Sequence, residues 1–500
     1  MTGATVGHPG GIGRGGYTMV ELLTATTLAV LMLIGVVTIL GTVSRAVNDS
    51  RALLEMADRL RATRNLLEQD LRGITVHLLP PRRPEFNEGY FEYIEGPLGP
   101  IVPPSAFAIN SATGEPDWTV TDFDDVLMFT TRRLDRPFVG RLGNTTIESS
   151  VAEVAWFVRG NVLYRRVLLV APWASLPDAD GNGVASPSEL GGESIYNYCD
   201  LSVRPQFISG QLVGWIPNSL GDLSNRENRY AHWIAGMQLL PYDASVWGLL
   251  GLPTLEESSD PGWMSVIPDP GWAALIPKLP IPTALGAQSD PTIRADMWID
   301  PYLWANAWAP SGGALVDPQT GVLLDFRGPR VGEDVVLTNV IGFDVKVWDP
   351  DAQVRMGPDG EAVYPSEPGF ASAGPALGVG AFVDLGSGGG RFGGVGHPKS
   401  GLGFGSSTTA RGIRVYDTWS FFYEHDGRGQ LSPFGTDSGT NGFDDNGNGV
   451  VDDPDEFDTM PPYPYPLEAI QVVIRVFEPD TKQIRQVTLV HNFSPLAAVP

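Results

Sequence analysis

Oxygen ligands are the residues with the clearest capacity for chemistry in this chain. Between positions 178 and 189 they recur at a fixed spacing: Asp178, Asp180, Asn182, Ser186 and Glu189, with Gly183 at a turn and Val184 offering its backbone carbonyl. A hard cation such as calcium takes about six to eight oxygens, and this spacing wraps them round one point. Asp444, Asn446, Asn448, Val450 and Asp452 repeat the pattern, with Gly449 at the turn. That second loop closes on Asp455 where glutamate is preferred, and Glu456 follows, so its site is expected to be weaker or differently closed. For both loops the alternative is an acidic Gly/Asn turn that holds no ion.

Other chemistry is sparse. The 178–189 loop fits the EF-hand loop template in full, yet it follows a strand and contains Pro187, so flanking helices and a calcium sensor are not expected. The six histidines form no His-Glu-x-x-His motif, and no Gly-x-Ser-x-Gly elbow occurs. Glu424-His425-Asp426 has the groups for metal binding or acid–base work, but reads first as a solvated turn. The single cysteine, Cys199, can form no internal disulfide and reads as a small buried hydrophobe. With 33 basic against 58 acidic residues, a net charge of −25 repels nucleic acid. No enzyme and no nucleic-acid partner are expected.

The N-terminus supplies the strongest positioning element. Gly15, Gly16, Tyr17 and, four residues on, Glu21 precede a run from Leu22 to Val43 with no charged residue. As a helix, about 22 residues at ~1.5 Å each cross the roughly 30 Å hydrocarbon core of a membrane. A carboxylate at the edge of such a helix is costly and needs a partner. Read alone, this is a membrane anchor with Glu21 at the interface. The order of glycine, aromatic residue, glutamate and apolar run also resembles the class III signal of prepilins. That resemblance implies cleavage by prepilin peptidase after Gly16, methylation of the new amine on Tyr17, and pairing of Glu21 with a neighbouring subunit's N-terminal ammonium. Tyr17 stands where phenylalanine is usual.

No proline occurs from Tyr17 to Ile74, so the helix is expected to continue out of the membrane. Leu53, Met56, Leu60, Leu67 and Leu71 place an apolar stripe on one face, and Gly73 is the expected stop. The segment Leu66-Leu67-Glu68-Gln69-Asp70-Leu71-Arg72 resembles the end of this helix in J-type minor pseudopilins of type II secretion, with Gln69 in place of an arginine.

Gly 60 and Pro 43 point to many turns, hence an all-β or α+β body. Strand patterns occupy 126–132, a hairpin around Arg159-Gly160-Asn161, a strand pair within 335–348, and a second hairpin around Glu478-Pro479-Asp480. The first hairpin returns through Leu163-x-Arg165, which again resembles the J-type domain. The expected class is therefore α+β: a long N-terminal helix packed on an antiparallel pseudopilin-type β domain with large loop-rich insertions. The divisions are a leader at 1–16, the helix at 17–74, β domain at 75–199, a Trp/Pro-rich insertion at 200–334 and strands at 335–350. A Gly-rich insertion at 351–466 and a closing hairpin at 467–500 follow.

The resemblance implies a minor pseudopilin-like structural subunit of a type II secretion pseudopilus or related type IV filament. Its partners would be other pseudopilins, the I-type and K-type among them. Its place would be the bacterial inner membrane, single-pass, with the globular part in the periplasm. Two alternatives stay open: a ligand-binding or enzymatic domain exported on a pilin-like anchor, and a type IV pilus tip adhesin.

Overall fold

A computed structural model describes residues 17–95, 125–159, 161–208, 211–225, 228–230, 252–261, 327–365, 367, 369–387, 389–393, 415–418, 444, 447–451, 461–479 and 481–493. Two compact units divide the chain: Met1–Ala57 with Glu478–Gln483, and Asp58–Phe477 with Ile484–Pro500. The secondary structure is a long helix followed by antiparallel sheets, an α+β arrangement.

Helix α1 runs unbroken over Met19–Arg72. Its N-terminal part is apolar, exposed, and long enough to cross a membrane. Threonines inside it satisfy their hydroxyls on the preceding turn; Thr27 and Thr42 donate to the carbonyls of Leu23 and Thr38 at 2.7 and 2.6 Å. The later stripe is as expected: Met56, Leu60, Leu67 and Leu71 are buried, and Leu53 is half-buried. Gly73 follows the last turn for a different reason than capping. A Cβ there would lie 2.4 Å from both the Arg132 carbonyl and the Thr131 hydroxyl, so only glycine lets the chain pass this strand.

A six-stranded antiparallel sheet carries the core of the second unit. In spatial order it contains β13 (Val415–Asp417), β1 (Phe91–Ile94), β2 (Val126–Arg132), β5 (Val151–Arg159), β6 (Val162–Leu169) and β9 (Val335–Thr338). Small two-stranded ribbons are β3 (Phe138–Leu142) with β4 (Thr145–Ser149), and β7 (Val203–Ile208) with β8 (Gln211–Pro217). The second large sheet orders β11 (Ala362–Val363), β10 (Val340–Met356), β14 (Ala469–Glu478) and β15 (Gln483–Asn492), with β12 (Ala376–Val383) also on β10. Short helices α2 (Ile195–Tyr198) and α3 (Leu255–Ser258), with 3-10 turns at Pro84–Phe86, Asp222–Ser224 and Phe370–Ser372, complete the described elements.

Both expected hairpins form, as β5–β6 and β14–β15. The strand pair expected within 335–348 does not pair with itself. Asn339, in the left-handed region at φ 58°, ends β9, which joins β6, and starts β10, which joins the second sheet. The two sheets are tied where the Tyr93 hydroxyl donates to the Val345 carbonyl and the Val345 amide donates to Asp125 Oδ2 at 2.5 Å.

Register sorts the six-stranded sheet into two faces. Leu127, Trp156 and Arg165 are cross-strand neighbours, so they share one face; Glu92 with Asp417, and Phe157 with Tyr164, share the other. The first face meets the end of α1, where Asp70 contacts Trp156 and Arg165. The second is covered by α2, α3 and residues 194–230, so both faces are buried. Of β5, only Val151 is even partly exposed.

Candidate functional site

The 178–189 loop leaves β6 and reaches α2 without flanking helices of its own. Its geometry is set by glycines at positive φ, Gly181 at 74° and Gly183 at 81°, which turn the chain back on itself. The Gly183 amide donates to Asp178 Oδ2 at 3.0 Å, and the Val184 amide to Asn182 Oδ1 at 2.8 Å. Asn182 Nδ2 donates to Asp180 Oδ2 at 2.9 Å. Glu189 reaches back across the loop and accepts from the Ser186 hydroxyl at 2.7 Å and the Ser186 amide at 2.8 Å. Carboxylate oxygens of Asp178, Asp180 and Glu189 all lie within 4.8 Å of one another. Ser186 comes to this cluster through Glu189, and Val184 is buried below it.

The bond from the Ser186 hydroxyl, with further bonds from backbone amides, lowers the Glu189 pKa to about 2. The carboxylate is therefore ionised across the whole ordinary pH range. Three negative groups in one loop suit a hard cation. Ala185 anchors the loop: it exchanges two backbone hydrogen bonds with Trp215 on β8, at 3.1 and 3.0 Å.

In the second loop Asp444, Asn448 and Val450 are described; Asn446, Asp452, Asp455 and Glu456 lie outside the described residues. What is seen repeats the first loop. Gly447 and Gly449 have φ of 76° and 92°, the Gly449 amide donates to Asp444 Oδ2 at 2.7 Å, and the Val450 amide to Asn448 Oδ1 at 2.8 Å.

At the N-terminus Gly16 lies outside the described residues, while Tyr17 is exposed. Glu21 already has a partner within its own chain. Its Oε2 accepts from the Thr18 amide at 2.9 Å and the Thr18 hydroxyl at 3.0 Å, and the Glu21 amide donates back to that hydroxyl at 3.2 Å. This is a capping box, with Thr18 as N-cap.

Buried charge clusters on both faces of the six-stranded sheet went unread in the sequence as clusters. On the first face Asp70 is fully buried. It accepts from Arg165 Nε at 2.6 Å, Arg165 Nη2 at 2.8 Å, Arg133 Nη2 at 2.8 Å and Trp156 Nε1 at 3.2 Å. On the second face Arg229, fully buried, donates to Glu92 Oε2 at 2.8 Å and Asp417 Oδ2 at 2.9 Å, and its guanidinium lies 4.0 Å from the centre of the Tyr90 ring. Its Nε donates to the Leu223 carbonyl at 3.0 Å. Nearby, Glu153 accepts from the Tyr90 hydroxyl at 2.7 Å, the Ser202 hydroxyl at 2.6 Å and the Tyr230 amide at 2.9 Å. The available signal was parity: acids inside otherwise apolar strands, Glu92 and Glu153, fall on the face opposite Trp156.

Of the tryptophans in the 200–334 insertion, Trp215 is buried as a core residue; the others lie outside the described residues, as does Glu424-His425-Asp426. Cys199 is buried, and burial pushes its thiol up to about 12. Matching the chain against models of protein families, curated proteins and solved structures finds no similar protein.

Proposed function

We propose that the chain is a minor pseudopilin-like structural subunit of a type II secretion pseudopilus or a related type IV filament, at or near its tip. In this reading the first half of α1 anchors it in the bacterial inner membrane, the sheet domain is periplasmic, and its role is assembly rather than catalysis. One observation carries the reading. The two segments with J-type character, Leu66–Arg72 and Leu163-x-Arg165, are far apart in sequence, yet they meet in the Asp70–Arg165 ion pair. That contact clamps the end of an unbroken, membrane-capable helix onto an antiparallel sheet. Other pseudopilins, the I-type and K-type for a J-type subunit, are its proposed partners.

Prepilin peptidase would cut between Gly16 and Tyr17. Glu21 would then hold its own helix cap through Oε2 and take a neighbour's Tyr17 ammonium through Oε1. N-terminal sequencing of the membrane-bound chain is expected to start at a methylated Tyr17, and Gly16→Ala to block the cut. A chain starting at Met1, or cut after Val43, would exclude the prepilin class. Co-purification with other prepilins that survives Glu21→Val would remove the proposed role of Glu21.

Calcium is the proposed ligand of Asp178, Asp180 and Glu189, completed by Asn182, Val184 and Ser186. Ala185 ties the loop to β8, so bound calcium would stiffen the cover of the sheet's second face. A ligand that binds only the folded chain at a hundredfold excess over Kd adds about 2.7 kcal/mol of stability. Calcium is expected to raise the unfolding temperature of the chain, and chelator to reverse this. Asp178→Ala with Glu189→Gln should abolish most of the response, and Asp444→Ala should change it less. Calorimetry showing no heat of binding at millimolar calcium would leave both loops as acidic turns.

A further inference from the structure

Three carboxylates gather where α3 meets the six-stranded sheet. Glu257 is paired with Arg159 on β5, at 2.8 Å, and Glu256 with Arg327, at 2.5 Å. The third, Asp334, just before β9, is buried and has no ion pair among the described residues. Its Oδ2 accepts from the Leu255 amide at 2.6 Å, while Oδ1 has no hydrogen-bond partner. An ionised carboxylate offers about four acceptor sites. The Leu255 amide and the amide of Asp334 itself favour the charge, yet they leave much of it uncompensated in a medium that penalises it heavily.

The groups around Asp334 do not cancel this. On β6, Arg166 is buried and favours the ionised form, but its nearest acid is Asp200 at 3.6 Å. Tyr164 on β6 and Tyr230 contribute neutral phenols, both pushed upward by burial. From α3, the negative charge of Glu257 opposes ionisation. In the loop before β9, Arg330 is engaged by Asp200 and Glu333. Burial is the largest effect and Arg166 offsets part of it, so the carboxyl is raised to about 6.

We propose that Asp334 is a proton-operated latch that holds the segment from Leu252 to Asp260 on the second face of the sheet. The segment is docked firmly when the acid is protonated and held more loosely when it ionises. The Leu255 amide that opens α3 bonds Asp334 directly and by itself favours the ionised form; the cost of ionisation is a charge buried beneath the docked segment, and burial outweighs that bond. In α3 itself, Thr254 and Glu257 form a capping box, and Arg159 also grips the Leu252 carbonyl at 3.0 Å. The latch stands apart from the filament reading and from the calcium loop.

The sign follows from the direction of the shift. The carboxyl is raised from 3.8 to about 6 in the folded chain; with the docked segment supplying that burial, docking gains stability that is complete below the lower value and is lost as pH rises through the upper one. Between about pH 5 and about pH 7.5 the docking constant falls roughly tenfold. Hydrogen exchange at the Leu255 amide of the full chain, corrected for its intrinsic pH dependence, reads this directly. Protection is expected to fall roughly tenfold over that range in the wild type and to stay level in Asp334→Asn. Parallel curves for the two chains, or protection that rises with pH, would overturn the latch. If the asparagine variant does not fold, the Asp334 carboxyl carbon can be titrated in the wild-type chain. A midpoint near 6 supports the proposal, and one at or below about 4 defeats it.

Discussion

Arg229→Met is expected to destabilise the second unit by about 3–5 kcal/mol, at the upper end of what loss of one buried ionic partner does. The cause is what remains behind. Glu92 and Asp417 stand opposite each other on β1 and β13, both fully buried. Without the guanidinium they are two like charges out of reach of water, and two carbonyls, of Leu223 and Ser224, lose donors as well. Their carboxylates raise the Arg229 pKa, so the charge is present at every working pH. Urea denaturation should show the loss, and adding Glu92→Gln with Asp417→Asn should restore much of it. A loss below about 1 kcal/mol would mean that water enters the cluster, contrary to its burial.

Asp70→Ala should rank second, at about 3 kcal/mol. Here one acid is removed and two cations remain. Arg133 and Arg165 keep some access to solvent, with 17% and 13% of their side chains exposed, so they can rehydrate in part. Trp156 cannot, and its indole N–H is left without its acceptor. Asp70→Asn keeps an acceptor for that N–H and should lose less. Denaturation midpoints in the order wild type, asparagine, alanine are the expected result; equal midpoints for the two variants would show that the Trp156 bond contributes nothing.

What could be read in the sequence was whatever depends on short-range pattern. The uninterrupted helix follows from missing prolines and a single apolar stripe. The β5–β6 and β14–β15 hairpins follow from alternation around turn residues. The carboxylates of the first loop were predictable as a cluster because one twelve-residue turn brings them together, with glycines where the chain needs positive φ. What escaped depends on parity and distance. Asp70 lies three residues after Leu67, on the buried stripe, where a charge demands a partner from another element. Nothing local says that the partners are Arg133 and Arg165. Nor could local pattern show that β9 and β10, separated by one left-handed asparagine, leave for different sheets. The polar second face was hidden for the same reason. Its cover comes from residues 194–230 and 252–260, and from residue 200 onward these read as an insertion and not as part of the core.

The strand order has a consequence for how the chain is made. Strands β2, β5 and β6 are near neighbours in sequence and can pair with α1 as soon as they leave the ribosome. The next strand outward, β1, takes its outer partner from β13, and the bond from the Phe91 amide to the Thr418 hydroxyl joins residues 327 positions apart. Loop-closure entropy and synthesis time both delay such a contact. Until residue 417 has emerged, the outer edge of β1 lacks β13, and Glu92 and Arg229 wait for their third member, so the nascent sheet carries an open edge through most of translation.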